Sequence, residues 1–119
     1  VDIIDCSSGG VGTRSTLFTS STLTEGYQVH LAERVRRERG GPVMAVGLIR
    51  TPEYADRVIG TGQADLVAIG REALYDPYWV RHAAVKLNGS EAFDDWPTNY
   101  GFWLKKRAGN LKEPGAASR

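Results

Sequence analysis

With 119 residues, 41% of them hydrophobic and 24% charged, the chain has an ordinary globular composition and enough length for one core. Its formal net charge of +1 gives no general electrostatic attraction for nucleic acid or for an anionic membrane surface. Cys6 is the only cysteine, which excludes an intrachain disulfide and a cysteine-rich zinc site, and no apolar run approaches the ~20 residues that cross a bilayer.

In chain order, the first predicted element is a strand, Val1 to Cys6, closed by Ser7-Ser8-Gly9-Gly10. A chain that opens on a core strand at Val1 reads as part of a longer protein, and with no charged-then-apolar leader a cytoplasmic location is expected. A polar loop rich in Ser and Thr follows, about Val11 to Gly26. Then comes a helix from about Tyr27 to Arg39, with Val29, Ala32, Val35 and Leu31 facing inward and Gly40-Gly41 stopping it.

The second strand, Pro42 to Gly47, is continuously apolar, as suits a parallel sheet covered on both faces. Thr51 is the expected N-cap of the next helix, with Pro52 at its first position and Glu53 in its first turn. Tyr54, Ala55, Val58 and Ile59 form its inward stripe, and Gly60 ends it. A third apolar strand, Asp65 to Ile69, runs into Gly70-Arg71 and a short helical turn. A helix from about Pro77 to Leu87 is expected to bury Trp79, Val80, Ala83, Ala84 and Leu87. Beyond Asn88 the pattern fades, and Lys105-Lys106-Arg107 reads as a solvated segment near an irregular end. Residues 1–87 are thus three β/α units, and residues 88–119 a C-terminal extension with an aromatic stretch and a flexible tail.

Alternating strands and helices imply an α/β fold with right-handed crossovers. An open doubly wound sheet and a (β/α)8 barrel both fit. Three units make less than half of a barrel of about 250 residues. In either architecture ligands gather at the carboxyl ends of the strands, and here those ends carry Ser8-Gly9-Gly10, Gly47 and Gly70-Arg71. Glycine lets backbone N–H groups approach phosphate oxygens, Arg71 adds a planar permanent cation, and helix amino-termini after the turns add positive potential. Any one of these also has a plain structural reading, since a strand-ending glycine can simply make a turn and Arg71 can pair with Glu72 or Asp76. Gly60-Thr61-Gly62-Gln63-Ala64-Asp65 is not a dinucleotide fingerprint, because it precedes a strand and lacks the third glycine. Cys6 among apolar neighbours reads as a small buried hydrophobe, and His30 and His82 make no metal-ligand pattern.

Three stretches resemble the Old Yellow Enzyme-like NADH:flavin oxidoreductases, of the bacterial xenobiotic-reductase and YqjM-like branch. They are Val1 to Gly10; Gly26-Tyr27-Gln28-Val29 with Ala45-Val46-Gly47-Leu48-Ile49; and Gly62 to Arg71, leading into Asp76-Pro77-Tyr78-Trp79. The resemblance implies strands six to eight of a (β/α)8 TIM barrel that binds FMN, with hydride passing from NAD(P)H through the flavin to an electrophilic alkene. It implies that Gly70 and Arg71 hold the FMN phosphate, that Gly47 lies beside it, and that Ser8 and Gly9 lie nearer the flavin. Trp96 to Trp103 resembles the branch's C-terminal segment, which reaches a neighbouring subunit's site. On that likeness Trp103 is a substrate-side or intersubunit residue and the full-length protein a homo-oligomer, while Phe102 stands where some members carry an arginine. The family's substrate-anion pair, a His with His or Asn, and its proton-donor tyrosine have no counterpart here, so no catalytic residue is assigned. A non-catalytic remnant or binding module, or another phosphate-binding flavin barrel enzyme, remains the alternative.

Overall fold

A computed structural model describes residues 1–8 and 23–111. The chain divides into two compact units, Val1–Pro77 and Tyr78–Arg119. The first unit contains the elements β1 (Ile4–Cys6), α1 (Val29–Arg39), β2 (Val43–Ala45), α2 (Pro52–Gly60), β3 (Leu66–Val67) and α3 (Arg71–Tyr75). The three strands are parallel and ordered β1-β2-β3.

Each strand is shorter than its apolar run. The ladder pairs Ile4 with Val43, Cys6 with Ala45, and Ala45 with Val67. It ends after Ala45 because the chain turns there, at Gly47 with φ 132° and Leu48 with φ 51°. Val1 and Ile3, expected in the first strand, are exposed.

The register sorts the strand residues onto two faces. Cys6, Val43 and Ala45 share one, and Val29, Ala32, Ala55 and Val58 of the two crossover helices are buried with them. Burial, with the Asp5 charge adding to it, pushes the Cys6 thiol up, so it is the inert, small apolar group expected of it. Asp5, Met44 and Leu66 form the row on the other face, where Leu66 is 44% exposed. Sequential parallel strands joined by right-handed crossovers place both helices on one side, and nothing described covers the other. Ile59 is likewise exposed rather than part of the α2 stripe, which narrows to Ala55 and Val58.

Asp65 ties the sheet to α1. It accepts a forked contact from Arg36 at 3.1 Å and the Val43 N–H at 3.0 Å, while Arg36 Nη1 donates to the Gly62 carbonyl at 2.8 Å. The Arg36 fork, then the Val43 N–H, holds the Asp65 carboxyl below its ordinary value. A carboxyl lowered on folding stabilises the fold above its unfolded value, near pH 4, and that contribution disappears as pH falls through the lower folded value. Urea midpoints measured from pH 6 down to pH 3 should therefore fall on acidification, and Asp65→Asn should flatten that decline. An unchanged slope in the variant would refute the role given to this pair.

The second unit comprises α4 (Trp79–Asn88), a 3-10 segment (Gly89–Asp95) and α5 (Thr98–Asn110). Where the hydrophobic pattern fades, the chain nonetheless forms a 13-residue helix. Packing at one close approach explains it: a Cβ at Gly101 would meet the Phe93 carbonyl oxygen at 2.4 Å, so only glycine lets α5 settle there. Ala83, Ala92, Phe93 and Gly101 are buried. The Trp96 ring stacks with Tyr78 at 5.6 Å and lies under the Arg81 guanidinium at 5.0 Å. Val80 is 70% exposed and Leu87 is also exposed, against the expectation that both are buried. Of the α4 positions expected to be covered, Ala83 is buried and Trp79 and Ala84 are half-buried. The basic triplet lies on a helix rather than in an irregular tail, with Lys105 paired to Asp94 at 2.6 Å and Lys106 over the Trp103 ring at 5.4 Å.

Candidate functional site

The carboxyl ends of the three strands converge in the first unit on a cavity of about 190 Å³. Ser7 and Ser8 reach it from β1, Val46 to Arg50 from β2, and Ala68, Gly70, Arg71 and Glu72 from the end of β3, with Tyr27 and Gln28 completing the wall. Four residues singled out from sequence, Ser8, Gly47, Gly70 and Arg71, are thereby brought together. Gly9 lies outside the described residues. Trp103 stands on α5 of the second unit, 63% exposed, edge-on to Phe102 at 5.2 Å.

Gly47 is required by its surroundings. At φ 132° a side chain is strained, and a Cβ there would sit 3.2 Å from both the Gln28 Cβ and its backbone N and 3.3 Å from Tyr27 Cδ1. Its carbonyl accepts the Gly26 N–H at 2.8 Å, joining the β2 tip to the start of α1. Leu48 follows in the left-handed region at φ 51°, a conformation costing about 1–2 kcal/mol for a residue other than glycine. Strain of that kind gathers where the backbone must present itself to a ligand.

Gln28, a buried polar residue, braces the opposite wall. Its Oε1 accepts the Ser8 N–H at 3.0 Å and its Nε2 donates to the Ser8 carbonyl at 2.9 Å. One side-chain amide thus extends the β1 ladder past its last residue and fixes where Ser8 sits. The same Nε2 donates to Tyr27 Oη at 2.5 Å.

Positive charge comes from Arg71. Its guanidinium makes no ion pair or hydrogen bond among the described residues, so neither Glu72 nor Asp76 neutralises it. The Gly47, Leu48, Gly70 and Arg71 N–H groups are used by neither the ladder nor a turn among those residues. Together these donors can grip a compact anion.

Helix amino-termini contribute less than the sequence suggests. Just ahead of α2, the Arg50 and Thr51 amides donate to Glu25 Oε1 at 2.7 and 2.6 Å, so a carboxylate of the chain itself already stands at that terminus. Thr51 is the N-cap residue, but its hydroxyl donates to Glu25 instead of accepting from the helix. Burial raises the Glu25 carboxyl, yet the Thr51 and Arg50 amides, the Thr51 hydroxyl and the Arg50 charge outweigh it and leave it lowered. The other helix at the site, α3, has only five residues.

A sequence model of the NADH:flavin oxidoreductase / NADH oxidase family matches residues 5–89, more than half of the chain. The chain belongs to that family. It is 46% identical over 87 residues to an NADPH dehydrogenase of Geobacillus thermodenitrificans, covering 73% of this chain and 24% of the relative. It is 41% identical over 88 residues to an NADPH dehydrogenase of Bacillus subtilis, covering 74% of this chain and 25% of the relative. An NADH oxidase of Thermoanaerobacter brockii is 39% identical over 83 residues, 70% of this chain and 13% of that protein. The chain spans about a quarter or less of the length of these curated relatives. The matched region contains Ser8, Gly47, Gly70 and Arg71, whereas Trp103 lies beyond it.

Sequence reasoning missed Glu25, Gln28 and Leu48 as members of the site's frame. Gln28 carried a signal, a polar residue where the helix begins its inward stripe. Leu48 and Glu25 carried none, since their roles arise only from the turn after β2.

Proposed function

We propose that this family member is an FMN-binding oxidoreductase and that this segment supplies the phosphate end of its cofactor site. The observation that carries the reading is the meeting of Gly47, Gly70 and an Arg71 guanidinium with no ion pair among the described residues around one small cavity. The residues fit a dianion: Arg71 offers a planar fork, the Gly47 and Gly70 turns offer amides unused among the described residues, and no Cβ fills the approach at Gly47. At about 190 Å³ the cavity is smaller than the 300–1,000 Å³ typical of whole-ligand sites, which suits one end of a longer cofactor. Gly47 lies beside the phosphate in this reading, with Ser8 and Gly9 towards the flavin.

When bound at these residues, FMN would supply the chemistry for passing a hydride from NADPH or NADH to an activated alkene. The protein's own part in this segment is orientation: Arg71 and the turn amides anchor one end, and Gln28 fixes Ser8 along the wall. Strands β1, β2 and β3 are read as strands six to eight of a (β/α)8 barrel, with the row Asp5, Met44 and Leu66 facing its packed interior. Residues 1–87 are then part of the barrel and residues 88–119 its C-terminal extension. Trp103 is read as meeting a neighbouring subunit's substrate site in a cytoplasmic homo-oligomer. Hydride transfer itself belongs to residues outside the segment.

The test compares FMN with riboflavin, which lacks the phosphate, by flavin fluorescence titration of the full-length protein. FMN is expected to bind at least tenfold more tightly, the scale of one charge-assisted hydrogen bond. Equal affinities would overturn the reading.

A further inference from the structure

The direction of one hydrogen bond at the cavity wall is forced by its neighbours. Ser8 presents a backbone N–H and a carbonyl to the same side chain, and Gln28 must meet the first with Oε1 and the second with Nε2. The remaining Nε2 hydrogen goes to Tyr27 Oη, 2.5 Å away. Tyr27 therefore accepts from Gln28, and its own phenolic hydrogen is not used in that contact. No other described residue takes it. The ring that carries this hydroxyl lines the cavity and rests against Gly47, with Cδ1 3.3 Å from where a Cβ would stand.

We infer that the Tyr27 hydroxyl is a binding residue for the dianionic group in this cavity, held in the donor sense by Gln28. The inference rests on the phosphate reading of the cavity and adds a neutral donor to the Arg71 cation. An anionic acceptor suits it, because with Gln28 donating to the oxygen the phenolic hydrogen is the group left to point at a ligand. Gln28 acts through Tyr27 and Ser8 and is a positioning residue.

The experiment is Tyr27→Phe in the full-length protein, titrated with FMN and with riboflavin, alongside thermal unfolding of the apoprotein. About a tenfold loss of FMN affinity with riboflavin affinity unchanged is expected, since a hydrogen bond to a charged group is removed. If the parent protein prefers FMN and the variant keeps that preference in full, the inference is overturned while the phosphate site stands. If both flavins weaken equally and the unfolding midpoint drops, the hydroxyl is structural and the inference is again overturned. If the parent protein itself binds FMN and riboflavin equally, the phosphate reading fails and this inference falls with it.

Discussion

Arg71→Ala is expected to weaken FMN binding by about ten- to a hundredfold and to leave riboflavin binding nearly unchanged. The magnitude follows from the chemistry of the group. A hydrogen bond to an ionised partner contributes roughly 1.5–3 kcal/mol, and each 1.4 kcal/mol is about a factor of ten in affinity. Arg71 stands at the upper part of that range because no described carboxylate competes for it, so its charge is available to the ligand. Arg71→Lys should fall between the parent and the alanine variant, since an ammonium keeps the charge but loses the planar fork. Dialysis of the FMN-loaded proteins, followed by fluorescence titration, measures both effects. An unchanged FMN dissociation constant in Arg71→Ala would remove the principal cation from the site and with it the case for a phosphate there. Because Arg71 is exposed and outside the buried core, the variant should unfold with the parent's midpoint. That separates lost binding from lost folding.

The parts of the site legible in the sequence are those whose residue type has few other uses. Glycines at strand ends and an arginine just after one announce themselves, because turns and anions both favour them. Parallel strands between amphipathic helices were equally legible. What stayed hidden depends on distance rather than type. Gln28 is an ordinary polar residue until Ser8, 20 positions earlier, is found against its amide. Glu25 holds the Thr51 amide and hydroxyl just ahead of a helix that begins 27 residues later, where the local rule pointed to the Thr51 hydroxyl as the cap. Ile59, Val80 and Leu87 are exposed against expectation for one shared reason. Apolar periodicity shows which residues can be covered, whereas coverage depends on what packs against them. The helix α5 escaped notice because its apolar positions form no continuous stripe and Gly101 interrupts it. That glycine is what lets the helix pack, through its contact with the Phe93 carbonyl.

Gly47→Ala is the second substitution with a large expected effect, and two separate costs combine in it. The first is conformational. At φ 132° the backbone occupies a region that side-chain-bearing residues rarely enter, which costs on the order of 1–3 kcal/mol. The second is steric. A Cβ 3.2 Å from Gln28 Cβ and backbone N lies inside the 3.5–4.0 Å of ordinary carbon contacts, so α1 or the β2 turn must shift. A total of about 2–4 kcal/mol of destabilisation is expected from urea unfolding. Two other glycines separate the terms. Gly41 has φ 90° with open space around it, so Gly41→Ala measures strain without the clash. Gly60 has neither a left-handed φ nor a close neighbour, and Gly60→Ala at the end of α2 should be neutral or stabilising by up to about 1 kcal/mol. Displacing Gln28 also loosens its hold on Ser8 and Tyr27, so Gly47→Ala should lower FMN affinity in the fraction that folds. If Gly47→Ala is no more destabilising than Gly41→Ala, the wall formed by Gln28 is not the constraint that keeps this strand tip bare. The unused amides after β2 would then owe their exposure to the turn alone, and the close fit between the two walls would have no part in shaping the anion site.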